Sequence, residues 1–366
     1  MSTRSAYGTR YSTSTSGAPE SYEIRKDHYD LFLLIQDLVR GIDGFILEFP
    51  VDDWGKQQSI KITLGSGGFS SVQRRIAKGR WGNRSVMAYK SIRPRFDQDG
   101  RFDDQDALEQ AVVELRLLSA SGIRSHRHIT QLKGISFETP HHRTDGYLAP
   151  VLMFDASSMG NMLDFIRDPV RMVDGPYWEF CLDVARGLQA LHGHGFIHGD
   201  VKCENVLIFP ARTPQGRSFI AKVTDFGCSM VIDEVGSQTR LRGSTIPYDA
   251  PEADSVIERE NLVFTDVFSF GLLVWRVLID GADPFKHSRY ATMNATVERY
   301  NYSLIREDKR NGTALSLALD RAMDPDSGLS PEMANVLGEV LSIALNPEPQ
   351  KRDLGRILEV LDRPEK

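Results

Sequence analysis

The sequence predicts an α+β chain whose first part is built on strands and whose second part is built on helices. Two observations carry this. The first is size: 366 residues with 41% apolar content can bury a large core, enough for two domains or one two-lobed domain. The second is the order of the periodicities. Ile60, Ile62 and Leu64 alternate with polar residues as a half-buried strand does, and VMAYKSI (Val86 to Ile92) reads as a further strand. Later, Phe180, Val184, Leu188 and Leu191 share one helical face, and Asp266 to Ile279 is apolar around most of its circumference, the mark of a helix buried in a core.

Charge and composition exclude several classes. A net charge of -6 and a pI of about 5.9 leave no nucleic-acid footprint. Cys181, Cys203 and Cys228 are too few and too far apart for a disulfide framework or a zinc site. No apolar run approaches a membrane span and no secretory signal opens the chain, so the expectation is a soluble protein of the cytoplasm or nucleus, without a membrane partner.

Residues 1–21 hold ten Ser or Thr and no acid before Glu20, too little apolar surface to fold, and are expected to form a disordered tail. Phosphorylation is one use for it. The apolar face of a transit-peptide helix is missing. Within 22–57, Leu31, Leu34, Ile35 and Leu38 predict a helix over 29–39. It packs on the domain that follows or docks another protein. FILEF (Phe45 to Phe49) reads as a short strand. After the strand at Ile60 to Leu64 come Gly65, Ser66, Gly67, Gly68, Phe69, Ser70, Ser71 and Val72, a glycine turn leading into another strand. In the strand that follows, Lys90 interrupts the apolar run, and a lysine there needs an anion. RPRFDQDGRFDDQD is charged and reads as a solvated loop, and Ala107 to Leu118 reads as a helix.

The stretch FIHGDVKCENVLIF, from Phe196 to Phe209, sets Asp200, Lys202 and Asn205 within six residues between apolar anchors. It resembles the HRDxKxxN catalytic loop of protein kinases. The resemblance extends over about residues 58–362. The glycine turn resembles the GxGxxGxV loop, with Ser70 in place of the third glycine, and Lys90 matches the VAIK lysine. Glu114 matches the helical glutamate that pairs with it, with Glu109 as rival. Thr224, Asp225, Phe226 and Gly227 match the DFG segment, and Tyr248 to Glu252 matches the APE ending.

From this resemblance follow a bilobal fold, with a small β-rich N-lobe (58–155) and a larger helical C-lobe (156–362), and ATP in the cleft. It implies that Asp200 accepts the substrate hydroxyl proton, that Lys202 neutralises charge on the moving phosphoryl group, and that Asn205 and Asp225 hold Mg2+. It further implies that Gly65, Ser66, Gly67, Gly68 and Ser70 lie over the phosphates, and that Lys90 contacts them. Val72, Ala88 and Leu207 would border the adenine, Phe154 would close the back pocket, and Asp155, Ala156 and Ser157 would form the hinge. On the same resemblance His198 is a core prop, Asp266 caps the catalytic loop, and Arg352 pairs with Glu252.

On the resemblance, Lys202 and Thr245 imply the serine/threonine class, expected to act on hydroxyls of protein substrates. The alternatives are a pseudokinase that binds nucleotide or partners without transfer, and a small-molecule kinase. The latter is disfavoured by the APE-like segment and Thr245. Ser229, Ser237, Thr239, Ser244, Thr245 and Tyr248 are candidate phosphate acceptors. Gly199 stands where most kinases have an arginine that pairs with such a phosphate, so activity is expected not to depend on that contact, with Arg240 or Arg242 left to serve another. Cys228 is expected to be an inert buried thiol, with a redox- or electrophile-sensitive site as the alternative. Between Tyr290 and Pro331 the family pattern is faint and a charged insertion is expected.

Overall fold

The computed structural model describes residues 46–48, 62–66, 70–78, 84–92, 95–96, 102–103, 105–138, 149–168, 178–211, 216–286, 290 and 300–363. Six strands make the N-lobe sheet: β1 (Ile46–Glu48), β2 (Ile62–Ser66), β3 (Ser70–Lys78), β4 (Arg84–Ile92), β5 (Leu132–Glu138) and β6 (Ala149–Asp155). Their order across the sheet is β1-β5-β6-β4-β3-β2. All neighbours are antiparallel except β1, which runs parallel to β5 with Ile46 opposite Gly134. The strand expected in FILEF therefore belongs to this sheet, which begins ahead of residue 58. The expected helix over 29–39 and the tail over 1–21 lie outside the described residues.

Period-two alternation sorts the side chains of β4 and β6. Ala88 and Lys90 stand opposite Phe154 and Leu152, and Val72 on β3 stands opposite Lys90. Val72, Ala88, Leu152 and Phe154 join the main core, while Met87, Tyr89, Val151 and Met153 form a separate cluster on the other face. Helix α1 (Gln105–Ser119) packs its apolar face inward, with Leu115 and Leu117 fully buried. The charged stretch expected to be a solvated loop contains a two-residue antiparallel pair, Arg95–Phe96 with Phe102–Asp103.

The C-lobe is mostly helical. Its elements are α2 (Met162–Arg167), α3 (Trp178–Gly193), the hairpin β7 (Val206–Pro210) and β8 (Phe219–Val223), α4 (Leu262–Leu278), α5 (Tyr302–Arg310), α6 (Thr313–Ala322), α7 (Pro331–Ala344) and α8 (Leu354–Leu361). Local chemistry starts several of them. Asn161, Asn301, Ser330 and Asp353 each accept a backbone N–H in the first turn, at 2.8, 3.1, 3.1 and 3.0 Å, each cap being worth about 1 kcal/mol. In α8, Leu354, Ile357, Leu358 and Leu361 form the buried stripe that a 3.6-residue period dictates.

Helix α4 buries every residue from Thr265 to Val277 and is the axis of this lobe. By length and composition the stretch Arg259–Leu278 could cross a membrane, contrary to the expectation that no run would. It is 83% buried inside the fold, as a core helix is.

Of the stretch expected to hold a charged insertion, residue 290 and residues 300–331 are described, and the latter are mostly helical. Helices α5 and α6 lie there, with Asp308 and Lys309 buried, because their charges find partners inside the lobe.

Candidate active site

The site is built where one strand, one helix and two loops converge. Lys90 projects from the inner face of β4 and is 6% exposed. Its Nζ donates to both carboxylate oxygens of Glu114 on α1 at 2.7 Å, and to Asp225 Oδ1 at 2.8 Å. Glu114 is thus the helical partner. Its rival Glu109 lies on the outer part of the helix, 3.8 Å from Arg242. Burial would lower the Lys90 pKa, but Asp225 and Glu114 outweigh it and raise it above the ordinary lysine value. Lys90 in turn holds Asp225 down to about 2. Burial pushes the Glu114 carboxyl up, with Lys90 opposing. One ammonium faces two carboxylates here, and Asp225 keeps a side chain 47% exposed.

The catalytic-loop residues are fixed from below. Asp266 of α4 accepts the backbone N–H groups of His198 at 2.7 Å and Gly199 at 2.9 Å, and also bonds His192 Nε2 at 2.9 Å. These bonds hold its carboxyl below the usual range despite full burial. His198 is buried, meets the Thr224 carbonyl at 3.0 Å and leans on the Phe226 ring at 5.4 Å. The histidines near the loop are structural, and among the described residues no cluster of three or more His, Cys, Asp or Glu could hold a metal unaided.

Gly199 has φ +80°, and a Cβ there would lie 2.5 Å from the Cys228 carbonyl oxygen. The backbone conformation and the close approach of Cys228 both favour glycine. Cys228 itself is pushed up to about 11 by burial, which makes it a poor thiolate.

Above this support three polar side chains form a closed triangle. Lys202 Nζ is 2.6 Å from Asp200 Oδ2 and 2.5 Å from Thr245 Oγ1, which itself donates to Asp200 Oδ1 at 2.7 Å. Asn205 Nδ2 donates to the Asp200 carbonyl and to Oδ2, both at 2.9 Å. That orientation leaves Asn205 Oδ1 as the atom suited to a hard cation. Asn205 and Asp225 fit Mg2+, which ordinarily takes one or two protein carboxylates and completes its shell with water and phosphate.

At the hinge, Phe154 is buried opposite Ala88, and Asp155 is exposed with a 3.2 Å link to Lys133. Ser157 Oγ is held by the Ile208 carbonyl at 2.5 Å and accepts the Met159 and Gly160 N–H groups at 3.0 Å. Ala156 packs on the core, and Leu207 bridges Asn161. Gly65 and Ser66 close β2 and Ser70 opens β3, with Gly67 and Gly68 outside the described residues.

Further along, Arg352 and Glu252 form the expected pair, a two-pronged contact at 2.5 and 3.2 Å with the Arg352 side chain fully buried. Two of the candidate phosphate acceptors are corrected by their surroundings. Ser229 is 1% exposed and donates to the His198 carbonyl at 3.2 Å, and Tyr248 is 8% exposed under Arg276. Arg240 donates to the Asp254 carbonyl at 2.7 Å. Asp249 and Lys309, which the sequence did not single out, lie buried together at the end of this segment.

Residues 59–353 match the family described as the protein kinase domain. The chain belongs to that family. Within it the relatives are distant and of mixed kind. They include fibroblast growth factor receptor 1 of Dugesia japonica, 26% identical over 258 residues, covering 66% of this chain and 27% of that protein. A probable serine/threonine-protein kinase of Dictyostelium discoideum is 29% identical over 224 residues, covering 61% and 12%. The human tyrosine-protein kinase TXK is 26% identical over 227 residues, covering 61% and 37%. The kinase domain thus spans well under half the length of these relatives.

Proposed function

We propose that this kinase domain is an active ATP- and Mg2+-dependent protein serine/threonine kinase. The observation that carries this reading is the triangle of Asp200, Lys202 and Thr245, in which a threonine of the segment ending at Glu252 is bonded to the Asp carboxylate and the Lys ammonium. A substrate hydroxyl replacing Thr245 Oγ1 at Asp200 would meet an oriented acceptor for its proton. Lys202 would stand beside the phosphoryl group as charge moves onto it.

Lys90, held by Glu114, would reach the ATP phosphates, and Phe154 with Ala88 would bound the adenine end. Asn205 Oδ1 and Asp225 would hold Mg2+, which when bound neutralises phosphate charge. Asp200 needs no raised basicity, because a loose transition state gains more from orientation than from proton abstraction. The intact set Lys90, Asp200, Asn205 and Asp225 favours the enzyme over the pseudokinase.

The test is transfer of labelled γ-phosphate from Mg-ATP to a generic basic protein, wild type beside Asp200→Asn, with phosphoamino-acid analysis. Transfer to Ser or Thr is expected, slowed about 10² to 10⁴ in the variant with ATP affinity nearly intact. Label on tyrosine would overturn the class, and equal activity in the variant would remove Asp200 from its role.

A further inference from the structure

The segment ending at Glu252 must hold a fixed shape if a protein substrate is to lie across it, and Gly199 offers no charge to hold it through a phosphate. A different cation is already in place. Lys309, in the last turn of α5, has a side chain with no exposure, and its Nζ donates to the Pro247 carbonyl at 2.6 Å, the Asp249 carbonyl at 2.6 Å and Asp249 Oδ1 at 2.9 Å. Those contacts use all three N–H donors of an ammonium. The rings of Phe285 and Phe268 stand 5.5 and 6.0 Å from the same nitrogen, so water is excluded and the contacts are strengthened.

The neighbourhood is arranged around this contact. Asp308, beside Lys309 on α5, accepts the Tyr290 hydroxyl at 2.9 Å and anchors the helix. Arg306 lies 3.0 Å from Asp254 and 3.9 Å from Asp249, whereas Arg310 bonds the exposed Asp254 at 3.1 Å and stands outside the clamp. From the clamped residues the path to the reacting groups is short. Tyr248 N–H bonds the Thr245 carbonyl at 2.6 Å, and Thr245 Oγ1 bonds Asp200.

We infer that Lys309 is a positioning residue for protein substrate, clamping Pro247 to Asp249 and so presenting Thr245 and the surface beside it in working shape without phosphorylation. This rests on the proposed kinase activity. It assigns the ammonium the ordering work that a phosphate bound to a catalytic-loop arginine would do, with the charges reversed: the fixed cation comes from the helix, and the anion, Asp249, is carried by the segment itself.

The experiment compares the full chain with Lys309→Met, Asp249→Asn and the control Arg310→Ala, whose partner is at the surface. Three readouts are taken: kcat and KM for a generic basic protein, Mg-ATP binding by calorimetry, and backbone hydrogen exchange over residues 245–250. In Lys309→Met, kcat/KM for the protein substrate is expected to fall about 10-fold to 10²-fold, mainly through KM, with Mg-ATP affinity within about 2-fold. Exchange over 245–250 should accelerate. Asp249→Asn should repeat the pattern more weakly, since both backbone carbonyls still accept from Lys309, and Arg310→Ala should leave all three readouts in place.

A folded Lys309→Met whose protein KM and exchange match the wild type overturns the inference, and so does an equal loss of Mg-ATP affinity, which would make Lys309 a general prop of the lobe. If Lys309→Met does not fold, Asp249→Asn decides by the same criteria. Absence of transfer in the wild type would sink the kinase reading, and the exchange comparison would still decide whether the clamp exists.

Discussion

Among the described residues two lysines are buried against carboxylates, Lys90 and Lys309, and their acidities shift in opposite directions. Lys90 faces both Glu114 and Asp225, whose combined attraction exceeds the penalty of burial and raises its pKa. Lys309 faces one close carboxylate, Asp249, with Arg306 near by, and there burial wins and its pKa is lowered. Burial alone therefore does not set the character of a buried lysine; the count of opposing charges does. The first arrangement leaves negative charge over, suited to a cation and to a lysine that works on a polyphosphate. The second is a closed, satisfied contact suited to holding backbone in place.

The comparison is sharpened first by removing each cation. Lys90→Met should lower kcat/KM for Mg-ATP by about 10² to 10³, the scale of losing one charged group aimed at the reacting centre. Lys309→Met should leave Mg-ATP nearly untouched. Steady-state kinetics in both substrates distinguishes them, and matching profiles would dissolve the distinction.

The second way to break it is pH. Lys90 gains its proton partners on folding, so its stabilisation is full below the ordinary value of 10.5 and is lost as pH rises above it. Lys309 gives up its proton more readily folded than unfolded, so stability is gained as pH rises toward 10.5 from its lowered folded value. Side-chain NMR of the lysines should find Lys309 titrating below 10.5 and Lys90 above it. Asp225 shares the direction of Lys309, stability rising with pH, but in acid: its stabilisation is present above the ordinary 3.8 and disappears as pH falls toward about 2. The gap in urea midpoint between wild type and Asp225→Asn should accordingly narrow across that window.

Smaller effects test the support beneath. Gly199→Ala places a Cβ at 2.5 Å from the Cys228 carbonyl at a φ of +80°, and a loss of about 1 to 3 kcal/mol in urea unfolding is expected. A midpoint equal to the wild type would mean that the loop and Cys228 adjust freely. Smallest of all, replacing Ser237, Thr239 and Ser244 together by Ala should keep kcat/KM within about 2-fold, because none of them bonds the Asp200 triangle. A collapse of activity there would show that phosphate regulation persists without the arginine at 199.

Much of the first region was legible in the sequence because it is local. HGDVKCEN, TDFG and the strand lysine each carry their chemistry within a few residues. The reach from Asp266 to the His198 and Gly199 amides, and the Arg352 contact with Glu252, were accessible through the resemblance to protein kinases. The second region was not legible. Arg306, Asp308, Lys309 and Arg310 fall in the stretch expected to be a charged insertion, since charge density in sequence cannot reveal that Asp249, 60 residues earlier, comes to lie against Lys309. The same limit hid the burial of Ser229 and Tyr248, whose hydroxyls look like any others until the chain around them is folded. FILEF shows a milder form: the strand was readable, its parallel pairing with β5 was not.

Helix α4 has a consequence for how the molecule comes apart. A helix apolar around most of its circumference and buried along most of its length has little surface that tolerates water, so it gains little by forming before the helices that cover it, and most of its stability is tertiary. Its carboxylate Asp266 fastens the catalytic loop, and Phe264 at its start accepts a bond from Arg352 near the end of the lobe. Opening the C-lobe at any of these points uncovers the same membrane-like stretch. The lobe is therefore expected to unfold as one cooperative unit, and any species that has lost part of it carries a strongly adhesive segment, the sort of surface that chaperones bind and that seeds aggregation.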